Sequence, residues 1–392
     1  MKLSHYIMSI SILAFACGQA VQGLDSSKQK TSDQSQSSQS LNSNVTESKP
    51  AKNSMVQVKA ADSKIKLIKS LKTKISGPKQ VSRWEPSGIV SSQEGIWVVS
   101  DREGWITYYK LPLTKGDNTP HLSHKLSPKL KNRIKWEGLE WERNEAGEVT
   151  ALLLLEAISR TVWRCDAPHE GCPRLDKVTL EPFNTLLNNA VPRPFKYIMF
   201  EGLAVHQKDV LIGVRAFQDK ELGLKPWSLL ANLNGELMLD ARSPLTYEGK
   251  EYGMSGITFD AEHQGFWMTW SYEDEEGSIQ ESVKGLLTFA PLKYAKGSKS
   301  KTSKSKASEQ GKNLEFGPKR LDHTLNVGSQ ICAVFQMKPE GVSVNEKGDL
   351  FVVFDEDLDR KDAESHQETK RFPLEDNQDF IYHSTSKALL NR

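Results

Sequence analysis

The sequence predicts an all-β fold, a β-propeller of five blades, on three observations. First, a short motif occurs five times: a Glu or Ser, then Gly, then an aliphatic residue, at Ser87-Gly88-Ile89, Glu137-Gly138-Leu139, Glu201-Gly202-Leu203, Ser255-Gly256-Ile257 and Glu340-Gly341-Val342. Second, each copy is followed by a polar break and an apolar run: Gly95 to Asp101, Thr150 to Glu156, Val210 to Arg215, Gly265 to Ser271 and Asp349 to Asp355. Third, aromatic and β-branched residues gather in short runs between Gly-rich breaks, as strands do. Repeated copies of one supersecondary unit argue for a repeat architecture.

The N-terminus is a targeting segment. Lys2 gives a small positive start, Tyr6 to Phe15 is an apolar stretch, and Ala14-Phe15-Ala16 precedes Cys17. The segment resembles a bacterial lipoprotein signal, with residues 1–16 removed and Cys17 lipidated. An ordinary secretory signal cut after Ala16 is the alternative, and both export the chain. From Leu24 to Ser54 the residues are mostly Ser, Gln, Lys and Asn, too polar to bury a core. Residues 17–54 therefore read as a solvated tether, whose ~30 flexible residues reach on the order of 30 Å. An anchored Cys17 would hold the folded part clear of a bacterial membrane, at the periplasm or cell surface.

The folded region spans residues 55–392. Ile65 to Ile68 and Leu71 to Ile75 read as edge strands without a blade of their own. They close the ring if they supply the outer strand of the last blade and so remove an exposed edge. Third strands follow at Trp105 to Leu111, Thr161 to Cys165, Trp227 to Leu233, Gly285 to Ala290 and Phe380 to His383. A sixth, degenerate blade between Gly138 and Gly202, or between Gly256 and Gly341, stays open on sequence grounds. Lys296 to Lys312 is a Lys/Ser-rich insert, and Ser384 to Arg392 reads as a fraying tail. Cys165 and Cys172 bracket a tight loop and suit a disulfide better than a zinc site, because one His and two distant thiols make a poor ligand set. Cys332, between Ile331 and Ala333, reads as a buried thiol.

Composition narrows the function. A formal net charge of +2 over 392 residues gives no case for nucleic acid. P-loop, nucleophile-elbow, zinc-helix and dinucleotide patterns are missing from the sequence. In an antiparallel blade, the start of the inner strand lies beside the end of the second strand. Two sets of residues therefore converge at one mouth of the channel: Ser87, Glu137, Glu201, Ser255 and Glu340, with Asp101, Glu156, Arg215, Ser271 and Asp355. Three glutamates so placed either hold a hard divalent cation such as Ca²⁺ or accept hydrogen bonds from neighbouring backbone. Arg215 either pairs with one of them or binds an anion through its fork. The nine tryptophans read mostly as blade packing, with Trp84 and Trp136 nearest the mouth.

The motif at Glu85 to Ile89 with Val98-Val99-Ser100-Asp101, and the Glu-Gly copies at 137, 201 and 340, resemble exported bacterial propellers grouped with phytase-like and esterase-like domains. They also look remotely like gluconolactonase-type propellers, in which a Glu before a Gly binds a divalent ion. By that resemblance Glu137 or Glu201 would take this role. Two functions are therefore expected. One is a cell-envelope lipoprotein that binds an envelope protein, glycan or anionic small molecule at the mouth. The alternative is a metal-dependent hydrolase of phosphate or carboxylic esters. In it Glu137, Glu201 and Glu340 hold the ion, Asp101 or Glu156 acts as general base, and Arg215 orients the anion.

Overall fold

A computed structural model describes residues 65, 67–68, 71–81, 84–102, 104–126, 134–190, 195–207, 209–219, 223–233, 237–241, 245–272, 283–292, 330–355 and 378–391. The strands form five sheets, one per motif copy, arranged as a five-bladed propeller. Cys17, the tether and the Lys296 to Lys312 insert lie outside the described residues, as do Glu356 and Asp357 of the acidic run after Asp355.

Each blade is an antiparallel meander. Blade 1 runs from Pro86–Ser91 through Gly95–Ser100 and Trp105–Lys110 to Leu122–Lys125. Blade 2 runs from Trp136–Arg143 through Val149–Glu156 and Thr161–Cys165 to Leu175–Val178. Blade 3 uses Phe195–His206, Asp209–Asp219, Gly223–Asn232 and Leu237–Ala241. Blade 4 uses Lys250–Asp260, Gly265–Ser271, Gly285–Pro291 and Gln330–Phe335. Blade 5 uses Pro339–Val344, Asp349–Phe354 and Gln378–Thr385. The second strands are mainly apolar where neighbouring blades cover both faces; Gly95–Ser100 and Gly265–Ser271 are buried at every position.

Five blades, not six, follow from how the motif glycines meet. A Cβ on Gly88 would lie 2.9 Å from the Gly138 backbone, one on Gly138 would lie 2.8 Å from Leu203 Cβ, and one on Gly202 would lie 2.9 Å from Ile257 Cγ2. Gly256 meets the Gly341 backbone at 3.0 Å, and Gly341 meets Ser87 O at 2.6 Å. Each inner strand thus seats against the next one without room for a side chain, and the fifth returns to the first. The extra length between motifs is taken up elsewhere. After blade 2 it forms the helix Glu181–Ala190, which buries Phe183 and Leu187 against Phe200 of blade 3.

The N-terminal strands divide between two blades. Thr73–Ser76 pairs antiparallel with Gln378–Thr385 and supplies the fourth strand of blade 5, so the first and last parts of the ring share one sheet. Leu67–Ile68, expected beside it, instead joins blade 4, parallel to Gln330–Phe335. The segment Gly116–Asn118 adds a further parallel strand outside Thr73–Ser76. The C-terminus does not fray as the sequence suggested. Thr385 accepts a hydrogen bond from Ala388 N as an N-cap, and the helix Ser386–Leu390 buries Leu389 in the blade 4–5 core.

Cys165 and Cys172 form the disulfide, which encloses the short turn Pro168–Glu170, and Cys332 is buried. Trp84 and Trp136 are 2% and 0% exposed, so both are core residues and not stacking platforms at the mouth.

Candidate functional site

The residue before each motif glycine is a β-bulge in all five blades. Register shifts fall between Pro86 and Gly88, Trp136 and Gly138, Phe200 and Gly202, Met254 and Gly256, and Pro339 and Gly341. The bulged residues are Ser87, Glu137, Glu201, Ser255 and Glu340. A bulge leaves one residue out of the ladder and re-aims its side chain. The sequence shows the Glu-Gly pairs but not the bulge, which depends on how the second strand registers against the first.

The bulges gather three of the glutamates. Glu137, Glu201 and Glu340, from blades 2, 3 and 5, each offer a carboxylate oxygen, and these lie within 4.8 Å of one another. All three are almost wholly buried. The two serine bulges tie blades together. Ser87 Oγ donates to Glu137 Oε2, and Ser255 Oγ donates to Pro339 O at 2.6 Å.

Each buried glutamate meets a cation from the chain. Lys135 Nζ pairs with Glu137, and Lys338 Nζ lies 2.8 Å from Glu340 Oε1. Both lysines stand two residues before their glutamate, in a Lys-x-Glu-Gly pattern that the sequence displays and that was the legible signal for them. Blade 3 has Met199 at that place. Its Glu201 instead meets Arg215 NH1 at 3.6 Å, and the same nitrogen lies 3.8 Å from Glu340 Oε2. The pairing of Arg215 with channel carboxylates is the arrangement the sequence favoured. Among the described residues, these contacts of the three glutamates are to side chains.

Burial dominates the electrostatics. It raises Glu137 above the usual carboxylate range, against the pull of Lys135. Burial, with Glu137 adding to it, holds Glu201 well above that range while Arg215 opposes. Burial likewise raises Glu340, opposed by Lys338 and Arg215. Burial works to strip the proton from Lys135, but Glu137, Glu201 and Asp101 together outweigh it and its pKa is raised. Perturbed groups packed together in this way mark functional sites more often than scattered surface charge does.

Asp101 and Asp355 stand in a second group with Glu85, again with carboxylate oxygens within 4.8 Å of one another. Arg102 Nε pairs with Glu85, and Lys135 Nζ reaches Asp101 at 3.6 Å, so one lysine touches both groups. Glu85, two residues before Ser87, was missed on the sequence because Ser87 occupies the glutamate's usual place. Glu156 belongs to neither group. Its carboxylate accepts from Lys135 N at 3.2 Å, Ile158 N at 3.1 Å and Ser159 N at 2.7 Å, as well as from Ser159 Oγ. Those donors occupy it in holding the turn after the second strand.

Further along the channel, Glu140 Oε2 accepts from Thr258 Oγ1 of blade 4 at 3.2 Å, and Oε1 accepts from Trp141 N at 2.8 Å. Blades 2 and 4 are not neighbours, so this contact crosses the channel. Burial pushes the Glu140 carboxyl up to about 7.

No protein-family model matches the sequence, and no curated protein is similar to it. Solved structures with a similar course include glutaminyl cyclase from Myxococcus xanthus, at 9% identity and TM-score 0.34, covering 74% of this chain and 94% of that one. A nidogen/laminin complex is similar at 11% identity and TM-score 0.31, over 66% of this chain and 70% of that chain. Virginiamycin B lyase from Staphylococcus aureus follows at 11% and 0.26, over 71% and 66%. The five sheets and the ring of glycines establish the fold independently of these likenesses.

Proposed function

We propose that the protein is an exported, lipid-anchored propeller of the cell envelope whose channel mouth is a binding site built on a divalent cation. Glu137, Glu201 and Glu340 are its ligands. The observation that carries this reading is the 4.8 Å limit on the separation of their oxygens. A Ca²⁺ ion binds oxygens at about 2.3–2.6 Å, so oxygens on opposite sides of one ion stand about 5 Å apart. The trio therefore fits a single coordination sphere. Burial gives a second reason. Ionised carboxylates crowded away from water repel one another; Lys135, Lys338 and Arg215 offset part of that cost from the periphery of the trio, and a divalent ion among the oxygens would offset it at the point where they converge.

Binding is preferred to catalysis because of Glu156. One of the two general-base candidates has its carboxylate taken up by the turn Ile158-Ser159. The hydrolase alternative keeps Asp101 as base and Arg215 as the anion clamp.

The test is a titration of the mature chain with Ca²⁺, Mg²⁺ and Mn²⁺, read by calorimetry and by the melting temperature. Saturating cation, about a hundred times its Kd, stabilises a single site by about 2.7 kcal/mol. That gain should vanish in a Glu137→Gln/Glu201→Gln variant. A wild-type melting curve that ignores all three ions sinks the cation reading. Turnover of generic phosphate or acyl esters, lost in the same variant, would transfer the site to the hydrolase alternative. Mass spectrometry of the mature N-terminus tests the anchor through the lipid expected on Cys17.

A further inference from the structure

Lys135 stands between the two acidic groups of the mouth. Its Nζ pairs with Glu137 of the Glu137/Glu201/Glu340 trio and lies 3.6 Å from Asp101 Oδ2 of the Glu85/Asp101/Asp355 group. Blade 2 thus sends one ammonium across to a carboxylate of blade 1. The first contact is close and the second is just beyond hydrogen-bond range, so the charge rests on the trio and faces an alternative.

The main chain at Lys135 is held on both sides. Its N–H donates to Glu156 Oε1 at 3.2 Å, and its carbonyl accepts from Ala157 N at 2.9 Å. Motion of the ammonium is therefore confined to the side chain, a flexible four-carbon stem carrying a point charge with no fixed fork. That side chain is 29% exposed, against 13% for Lys338 and 4% for Arg215, so it is the least enclosed of the three cations at the trio. A small rotation of the stem lets Nζ give up Glu137 for Asp101.

A divalent ion gives that exchange a cause. Both oxygens of Glu137 are engaged in this structure, Oε2 by Ser87 Oγ and Oε1 by Lys135 Nζ. A neutral hydroxyl can share the carboxylate with an ion, since the two oxygens offer about four lone-pair sites. An ammonium on the same carboxylate is a like charge a few ångströms from that ion. Glu137 is almost wholly buried, so water screens the repulsion poorly.

We propose that Lys135 is an internal counter-ion of the trio, that a bound divalent cation displaces it, and that Asp101 receives its ammonium. This rests on the cation reading above and adds a regulation of that site. The chain's own cation competes with the ion, and the second acidic group sets how readily it yields. An internal competitor lowers the apparent affinity by the fraction of molecules in which it holds the site.

The experiment titrates the mature chain with Ca²⁺, Mg²⁺ and Mn²⁺ by calorimetry in four forms: wild type, Lys135→Met, Asp101→Asn and the double variant. Lys135→Met should tighten the cation on the order of tenfold, whereas a merely structural lysine would leave binding equal or weaker. Asp101→Asn alters none of the three ligands, yet it should weaken binding on the order of tenfold, because the ammonium loses its alternative. Removing a negative charge also weakens cation binding through space, so the double variant separates the two causes. With Lys135 gone there is no ammonium to receive, and the Asp101→Asn penalty should largely vanish. An equal penalty in both backgrounds, no penalty at all, or no tightening by Lys135→Met overturns the exchange and leaves the cation site standing. Wild type that binds none of the three ions overturns the cation reading itself. Lys135→Gln, which keeps a polar end, takes the place of Lys135→Met if that variant does not fold.

Discussion

Gly341 of blade 5 lies directly against Ser87 of blade 1: a Cβ on Gly341 would stand 2.6 Å from the Ser87 carbonyl oxygen. This contact is backbone on backbone, so no side-chain rotation relieves it. Gly341→Ala should therefore destabilise the protein by about 1–3 kcal/mol through overpacking. Gly88→Ala, which meets the Gly138 backbone at 2.9 Å, should do the same. Gly116→Ala is the control on steric grounds, since nothing lies within 4 Å of its Cβ position. Its φ of 98° adds a local strain that makes it a strict one. Urea unfolding of the three variants, with both ring-glycine variants losing more than the control, checks the claim.

Glu140 predicts a pH dependence of stability. Its carboxyl is raised from 4.5 to about 7 by burial, although Trp141 N and Thr258 Oγ1 oppose the shift. The folded protein thus holds this proton more tightly than the unfolded chain does. Between pH 4.5 and 7 the folded state binds more protons, and stability falls as pH rises through that window. The total for this one group is at most about 3 kcal/mol. Glu140→Gln keeps a carbonyl acceptor for Trp141 N and sets an amide N–H against the Thr258 hydroxyl, which can accept it, and should remove that share of the slope. Denaturant midpoints at pH 5 and pH 8 would decide it; equal slopes in wild type and variant would be fatal to the claim.

Arg215→Met should cost stability because it leaves Glu201 and Glu340 buried without the guanidinium that faces them both. Breaking a buried ion pair costs about 3–5 kcal/mol, because the partner's charge is stranded. Protonation of the stranded carboxyls relieves the cost, so it should be smaller at pH 5 than at pH 8. A cost independent of pH would mean that Arg215 contributes packing and not charge.

The disulfide Cys165–Cys172 closes a loop of seven residues' separation at the outer part of blade 2. A loop this short yields about 2 kcal/mol of chain-entropy stabilisation. A Cys165→Ala/Cys172→Ala variant should lose about that amount and keep its fold, which near-native circular dichroism with a lowered melting temperature would show.

Much of the site was legible because its parts are local in sequence. The Glu-Gly-aliphatic copies marked the inner strands, and antiparallel pairing then put Arg215 and Asp101 at the same end. What was not legible depended on register and on contacts between blades. Glu156 ends its strand as Asp101 does, yet the turn Ile158-Ser159 folds back onto its carboxylate. The −2 position carries Lys135 and Lys338 but also Glu85, Met199 and Gly253. Its importance emerges only when the bulge turns the next-but-one side chain into the channel. Leu67–Ile68 was placed one blade too far round, because two residues of a β-type run carry no information about which edge they will join. The blade count was ambiguous for a similar reason: insertion length alone cannot distinguish a hidden blade from a helix such as Glu181–Ala190.

The pairing of Thr73–Ser76 with Gln378–Thr385 has a consequence for biosynthesis. The ribosome delivers one of these strands near the beginning of the polypeptide and the other near its end. A nascent or truncated polypeptide can stack its early blades, but it holds a dangling strand until the final segment emerges. Arrival of residues 378–385 at the waiting strand is thus the step that seals the disc, and a chain cut before residue 378 is left open.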